Sequence, residues 1–160
     1  MLFIGIDPGA SGGLAFLNDD RATAVHMPKT ERDIWEMLVS HKQDFNTRAV
    51  IEAVHSMPRQ GVSSSFKFGR NYGFLRGCLI AAKIPFAEVT PRGWLKALGI
   101  RTKHKTETNV QWKNFLKGLA QQRFPSVKVT LATADALLIA EYCRKVHAPH
   151  EDLQPETDLR

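Results

Sequence analysis

The beginning of the chain alternates short apolar runs with turn-forming residues. Residues 2–7 are apolar up to a terminal acid, a pattern that predicts a buried strand ending at a functional edge of a sheet. A glycine-rich stretch then permits a tight turn, and residues 14–17 and 22–27 predict two further strands joined by a polar turn. Residues 1–27 therefore predict an antiparallel meander.

The rest of the chain alternates helical and strand-like patterns. Thr30 is a candidate N-cap for a helix that ends near His41, and residues 55–65 lack periodicity and predict a loop. The other predicted elements are strands at 48–54 and 85–90 and helices at about 66–83, 91–98, 107–123 and 133–146. This order predicts an α/β fold with a five-stranded mixed sheet flanked by helices.

The predicted helix at 66–83 carries glycines at a spacing of four residues. Gly69, Gly73 and Gly77 form a stripe of small residues that allows another backbone to approach closely. The pattern favours ordinary tight packing of helices, and a functional contact is the alternative.

Length and composition limit the class of protein. A chain of 160 residues with 43% hydrophobic residues suits one globular domain, which we place at 1–147, followed by an acidic, flexible tail at 148–160. No run of eighteen apolar residues and no secretory signal pattern occurs, so we expect a cytoplasmic protein with no membrane partner. Cys78 and Cys143 lie in apolar surroundings without metal-type spacing, which predicts buried, reduced thiols.

Positive charge is concentrated in two tracts. The net charge of the chain is +6. The last twelve residues hold four acids and one base and contribute −3, so residues 1–148 carry +9. No acid lies between Glu52 and Glu88, and seven bases face one acid in residues 92–117. Aromatic residues are interspersed in both tracts, as is typical of surfaces that bind nucleic acid, although a solvated basic surface explains the charge equally well.

The acids are few enough to sort by elimination. Ten of the sixteen fall in turns, in the first turns of a surface helix or in the acidic tail. Of the remaining six, Asp7, Glu52 and Asp135 lie inside apolar strand or helix patterns, where an acid is costly unless it is paired or bound to a cation. Three such acids suggest a shared Mg²⁺ or Mn²⁺ and metal-dependent phosphodiester cleavage.

The same residues carry a resemblance to a known family. The motifs Ile4-Gly-Ile-Asp7-Pro-Gly9, Val50-Ile-Glu52-Ala and Ala134-Asp135-Ala-Leu-Leu-Ile-Ala140 resemble the RuvC-like Holliday-junction resolvases of the ribonuclease H-like superfamily. The segments Gly73-Phe-Leu-Arg-Gly77, Val89-Thr-Pro-Arg-Gly-Trp94-Leu-Lys96 and Arg123-Phe-Pro125 are similar to the versions found in phages and prophages.

The resemblance implies a homodimer that binds branched DNA and cuts two strands by hydrolysis in a bacterial or phage-infected cell. It implies two Mg²⁺ or Mn²⁺ ions per active site, with Asp7 bridging both and Glu52 and Asp135 each holding one. The oxygens of these three side chains are then expected to converge. The lysines expected to stabilise transition-state charge are Lys96, Lys103 and Lys105, for which plain phosphate anchoring is an equal alternative.

Further residues are candidates for DNA contact. The resemblance implies that the segment after Glu52 touches the junction, with Phe66 or Phe68 meeting unstacked bases; core packing is the alternative for either ring. The predicted DNA-binding residues are Arg59, Phe66, Lys67, Phe68, Arg70, Arg76, Arg92 and Lys113.

One departure from the family pattern leaves other functions open. The bacterial pattern has a fourth acid that would fall at Ala132 or Leu131, and neither residue binds a cation. Three carboxylates suffice, or another neighbour supplies the ligand, or Ala132 is an inactivating substitution made to trap a complex. A catalytically impaired module that binds branched DNA is therefore an alternative. A nucleotide-binding domain of the actin and sugar-kinase superfamily is a third alternative, which a chain of this length disfavours because that class needs two lobes.

Overall fold

The chain forms a five-stranded mixed sheet with helices on both faces. The computed structural model describes residues 1–19, 21–53 and 61–148. In chain order, the elements are β1 (Leu2–Asp7), β2 (Gly13–Leu17), β3 (Ala22–His26), α1 (Glu31–His41), a 3₁₀ turn (Asp44–Asn46), β4 (Thr47–Glu52), α2 (Val62–Ala81), β5 (Phe86–Val89), α3 (Pro91–Ala97), α4 (Asn109–Arg123) and α5 (Ala134–His147).

The sheet order is β3-β2-β1-β4-β5. β1, β2 and β3 form the predicted antiparallel meander, whereas β4 runs parallel to both β1 and β5. Ile6 is paired with Ile51, so the next residue along each strand is an acid at the same edge of the sheet. The α/β class and the five-stranded mixed sheet are confirmed.

Alternation along the central strands divides the core in two. Phe3 of β1 joins α3, α4 and α5 on one face of the sheet, whereas Ile4 and Ile6 join α1 and α2 on the other face. Because β1 is covered on both faces, it is apolar at successive positions instead of alternating with polar residues.

Most element boundaries agree with the predictions, and the differences have local causes. α2 begins at Val62, so the predicted loop is wrong for residues 62–65, while its earlier part lies outside the described residues. Serines are weak helix formers, yet one more turn on an existing helix costs little because the helix is already nucleated. α4 begins two residues later than predicted, because Thr108 and Gln111 form a capping box in front of it.

Both cysteines are free and buried, as predicted. No helix in the described part of the chain is long and apolar enough to cross a membrane. The acidic tail from residue 149 onwards lies outside the described residues, so its character stays a prediction.

Candidate active site

Two of the three predicted acids lie side by side at one edge of the sheet. Asp7 is the last residue of β1 and Glu52 is the last residue of β4, and these strands are parallel neighbours. The Gly9 backbone N–H donates to Asp7 Oδ1 at 3.2 Å, which fixes the start of the turn after β1. A methyl group on Gly12 would lie 2.6 Å from Asp7 Cγ, so the absence of a side chain at Gly12 leaves room for this carboxylate.

The third acid reaches the same edge on a helix. Asp135 lies in the first turn of α5, where a negative charge is favoured by the exposed N–H groups of the helix. α5 crosses β1 at Gly5, where a methyl group would overlap the backbone of Ala136 and Ala140. This close crossing sets the height of α5 above the sheet and thereby brings Asp135 near enough to Asp7 for their charges to interact.

Burial raises the pKa of all three carboxyl groups, and the charge of a neighbouring acid adds to this rise at Glu52 and Asp135. Burial is the largest cause in each case, and it raises the pKa of Glu52 to about 7 and that of Asp135 to about 6. The charge of Asp7 raises the pKa of both groups further, and burial also raises the pKa of Asp7 itself. The Lys113 ammonium partly offsets these shifts at all three carboxyl groups. The three groups therefore interact electrostatically as one anionic cluster.

The other three acids left by elimination have arginine partners. Glu88 forms an ion pair with Arg76 at 2.9 Å, Glu107 with Arg101 at 2.6 Å and Glu141 with Arg123 at 2.8 Å. In contrast, none of the ion pairs found among the described residues involves Asp7, Glu52 or Asp135. The sequence could not make this division, because each arginine is brought to its acid by the tertiary fold.

The chemistry of the cluster fits a hard divalent cation. Its donors are carboxylate oxygens of three half-buried acids, and a cation would relieve the repulsion that raises the pKa of Glu52 and Asp135. The described residues contain no group of three or more histidine, cysteine, aspartate or glutamate side chains arranged to hold a metal ion. Mg²⁺ commonly takes only one or two protein carboxylates and completes its shell with water and phosphate oxygens, so such a group is not required. Convergence of the three side chains on shared ions stays a prediction.

The position of the expected fourth acid lies close to this edge. The carbonyl oxygen of Ala132 would be 2.8 Å from a methyl group built on Gly13, beside the turn that follows Asp7. Because Gly13 is paired with Asp7, the backbone of residue 132 lies near the end of β1, but the methyl side chain of Ala132 offers no ligand. Glu141 does not replace it, since Arg123 holds that carboxylate.

The predicted lysines are placed differently from one another. Lys96, on α3, and Lys103 and Lys105, before α4, are exposed, and Lys103 Nζ donates to Asn109 Oδ1 at 2.6 Å. The lysine that affects the pKa of the acids is Lys113 on α4, which the sequence indicated only as a DNA contact. The roles of Lys96, Lys103 and Lys105 in stabilising transition-state charge or anchoring phosphates stay predictions.

The sequence also missed a polar contact to the cluster. Trp94 on α3 donates from Nε1 to Glu52 Oε1 at 2.8 Å. The sequence places Trp94 in an apolar pattern, which does not separate an indole that only packs from one that also donates a hydrogen bond.

The predicted DNA contacts lie mainly on α2. The Phe66 side chain is 72% exposed, so core packing does not explain it, whereas Phe68 is half-buried. Phe68, Lys67 and Arg70 line a groove between α2 and the segment before α1. Arg76 is paired with Glu88, Arg92 is exposed on α3, and Arg59 lies outside the described residues.

Comparison with solved structures places the fold. One match is Thermus thermophilus RuvC, with a TM-score of 0.55, 19% identity, and coverage of 89% of this chain and 92% of that chain. Another is T. thermophilus RuvC in complex with Holliday junction substrate, with a TM-score of 0.57, 18% identity, and coverage of 92% and 96%. The fold is that of RuvC. No family model and no curated protein matches the sequence.

Proposed function

We propose that this chain is a structure-selective DNA endonuclease that resolves Holliday junctions or related branched DNA by metal-dependent hydrolysis of phosphodiester bonds. The observation that carries the proposal is the cluster of Asp7, Glu52 and Asp135, three half-buried acids that lack arginine or lysine ion pairs among the described residues. Asp7 and Glu52 lie at the carboxyl ends of parallel strands in a fold shared with RuvC, and T. thermophilus RuvC has been solved in complex with Holliday junction substrate. Its place of action would be the cytoplasm of a bacterial or phage-infected cell.

The residues divide the work of the proposed reaction. Asp7 would be the central ligand of the cations, because its charge acts on both Glu52 and Asp135. Glu52 and Asp135 would each hold one of the cations. Two Mg²⁺ or Mn²⁺ ions, when bound, activate a water and stabilise charge on the leaving oxygen. Lys113 would attract the scissile phosphate towards the acids, since its positive charge already acts on all three. Lys96, Lys103 and Lys105 would hold the flanking phosphates.

A homodimer accounts for an otherwise unexplained face of α2. With 100° per residue, six exposed apolar or glycine residues of α2 fall within an arc of about 80° that points away from Leu75 and Leu79. These six residues, the outward stripe of α2, are Val62, Phe66, Gly69, Gly73, Gly77 and Ile80, and the exposed Arg70 and Arg76 border them. A methyl group built on any of the three glycines would meet no described atom within 4 Å, so they are not used for packing within the chain. An exposed apolar stripe of this kind suits a second copy, and two copies would cut the two strands of a symmetric junction.

A labelled four-way junction tests the proposal. With Mg²⁺, the parent protein should nick two strands of like polarity, whereas an equally long linear duplex should stay intact. Asp7→Asn should bind the junction with the parent's affinity and cleave it at least a hundredfold more slowly. A parent protein that does not cleave the junction contradicts the nuclease proposal.

A second candidate function follows from Ala132, whose methyl group stands where a fourth acid would be. In this alternative the chain binds branched DNA without cutting it. Junction binding without cleavage by the parent at any Mg²⁺ or Mn²⁺ concentration would favour this module. Turnover of ATP without DNA would favour the nucleotide-binding alternative, although the described residues form a single sheet and contain no second lobe.

A further inference from the structure

Trp94 and Glu52 are 42 residues apart in the chain and meet through one hydrogen bond. The Trp94 indole Nε1 donates to Glu52 Oε1 at 2.8 Å, and the Trp94 side chain is only 2% exposed. The indole ring packs in the core with residues of α4 and α5, while its N–H points to the edge of the sheet where the acids lie. The contact therefore joins the rigid core of the protein to one member of the acidic cluster.

The residues before Trp94 fix the direction of the indole. Thr90 caps α3 by accepting from the Gly93 backbone N–H at 3.1 Å, and Pro91 occupies the first turn, where its missing N–H is not needed. A methyl group on Gly93 would lie 3.1 Å from Val89 Cγ2, so the helix packs tightly against the end of β5. Val89 is paired with Glu52 in the sheet, and the first turn of α3 thus carries Trp94 back to Glu52.

The chemistry of the indole suits this position. An indole N–H is a donor only, does not titrate and cannot bind a cation. It can therefore hold one carboxylate oxygen without competing for the site. Lysine or arginine at the same place would instead neutralise the acid, as Arg123 does for Glu141.

We infer that Trp94 is a positioning residue, which holds Glu52 Oε1 and leaves Oε2 as the oxygen that faces a divalent cation. The inference rests on the proposed function in one respect, namely that the cation is the one used for phosphodiester cleavage. A glutamate side chain has three rotatable torsions, and the hydrogen bond from Trp94 restricts them to conformations that keep the carboxylate in place before a ligand binds. The segment from Thr90 to Trp94 thereby orients the indole N–H towards Glu52.

Nuclear magnetic resonance of the parent protein tests the contact without relying on Trp94→Phe. The three tryptophans give three indole N–H signals, and Trp35→Phe and Trp112→Phe assign two of them, so that the third belongs to Trp94. We expect this signal to exchange with water at least a hundredfold more slowly than that of Trp35, which is 36% exposed, and to shift when Mg²⁺ alone is added. A Trp94 signal that exchanges as fast as that of Trp35, or that ignores saturating Mg²⁺, overturns the inference.

Trp94→Phe then tests the consequence, with Trp112→Phe as the matched control. Trp112 stacks on Phe115 at a ring distance of 5.4 Å, and among the described residues the indole that donates to one of the three acids is that of Trp94. We expect Trp94→Phe to weaken Mg²⁺ binding about tenfold by calorimetry and to lower single-turnover cleavage about tenfold, while the Kd for the junction stays that of the parent. Trp112→Phe should match the parent in all three measurements.

The outcomes separate the two proposals. If the parent cleaves junctions and Trp94→Phe has the parent's Mg²⁺ affinity and rate, the positioning role is wrong and the nuclease stands. If the parent binds Mg²⁺ with the expected shift of the Trp94 signal but cleaves nothing, the nuclease is wrong and the positioning role stands. A Trp94→Phe protein that does not fold leaves the decision to the exchange and Mg²⁺ measurements on the parent.

Discussion

Gly5 of β1 lies directly beneath the backbone of Ala140 in α5. A methyl group at Gly5 would overlap the Ala140 backbone nitrogen and the Ala136 carbonyl oxygen, so no larger residue fits without moving the helix. The helix that crosses here carries Asp135 to Asp7. One glycine therefore controls both the packing of the larger core cluster and the assembly of the acids.

Substitution at this crossing should be costly. We expect Gly5→Ala to lower the free energy of unfolding by about 1–3 kcal/mol, the usual cost of overpacking a core, and to reduce junction cleavage at least tenfold. Gly118→Ala in α4 is the matched control, because a methyl group there meets no described atom within 4 Å. It should stabilise the protein by about 0.5–1 kcal/mol, as alanine does within a helix. Urea unfolding measures both values, and equal effects of the two substitutions would contradict the close crossing.

The raised pKa values predict how stability depends on pH without metal. The folded protein keeps the protons of Glu52 and Asp135 up to pKa values of about 7 and 6, whereas the unfolded chain releases them near 4.5 and 3.8. Because the folded state binds more protons between these limits, its free energy of unfolding should fall as the pH rises from about 4 to 8. Added Mg²⁺ should reverse part of this loss above pH 7.

Glu52→Gln isolates the contribution of one acid. It keeps an oxygen that can accept from Trp94 but removes the charge, so it should stabilise the metal-free protein at pH 8 by on the order of 1 kcal/mol. The slope of stability against pH should flatten between pH 5 and 8. Glu36→Gln, which affects an exposed pair with Arg32, should leave the slope unchanged. Thermal melts across this pH range check the comparison, and a parallel slope for Glu52→Gln would refute it.

Lys113 should have opposite effects on metal binding and on cleavage. Its charge lowers the pKa of all three acids and competes with a cation for them. At pH 8.5, we expect Lys113→Met to bind Mg²⁺ about threefold more tightly and to cleave junctions about tenfold more slowly. Lys117→Met, one helical turn further on, is the control and should change neither value. Weaker Mg²⁺ binding by Lys113→Met would show that this lysine does not face the acids.

The outward stripe of α2 predicts the effect of a larger side chain there. We expect the parent to sediment as a dimer and Gly73→Leu to raise the dimer dissociation constant at least tenfold, because the leucine would hold the second copy away. Gly118→Leu adds the same side chain to α4 and should leave the dimer intact. Sedimentation equilibrium measures both constants, and a monomeric parent would remove this face from the proposed function.

Much of the fold followed from local patterns. The apolar runs of β1 and β4 predicted buried strands because strands covered on both faces are apolar throughout. The predicted start of α2 was wrong because three serines in a row are typical of a turn, although a neighbouring helix can extend through them. The position of the acids in apolar runs was enough to select Asp7, Glu52 and Asp135 from sixteen acids.

The sequence by itself determined which residues are chemically unusual, since an acid in an apolar run is costly wherever the chain folds. Only the tertiary structure decided which acids have partners: Arg76, Arg101 and Arg123 each reach one acid, and Trp94 reaches Glu52. The same holds for the glycines of α2, which face away from the chain's own core. Contacts between residues distant in the chain depend on how helices cross the sheet, and such crossings leave no periodic signal in the sequence.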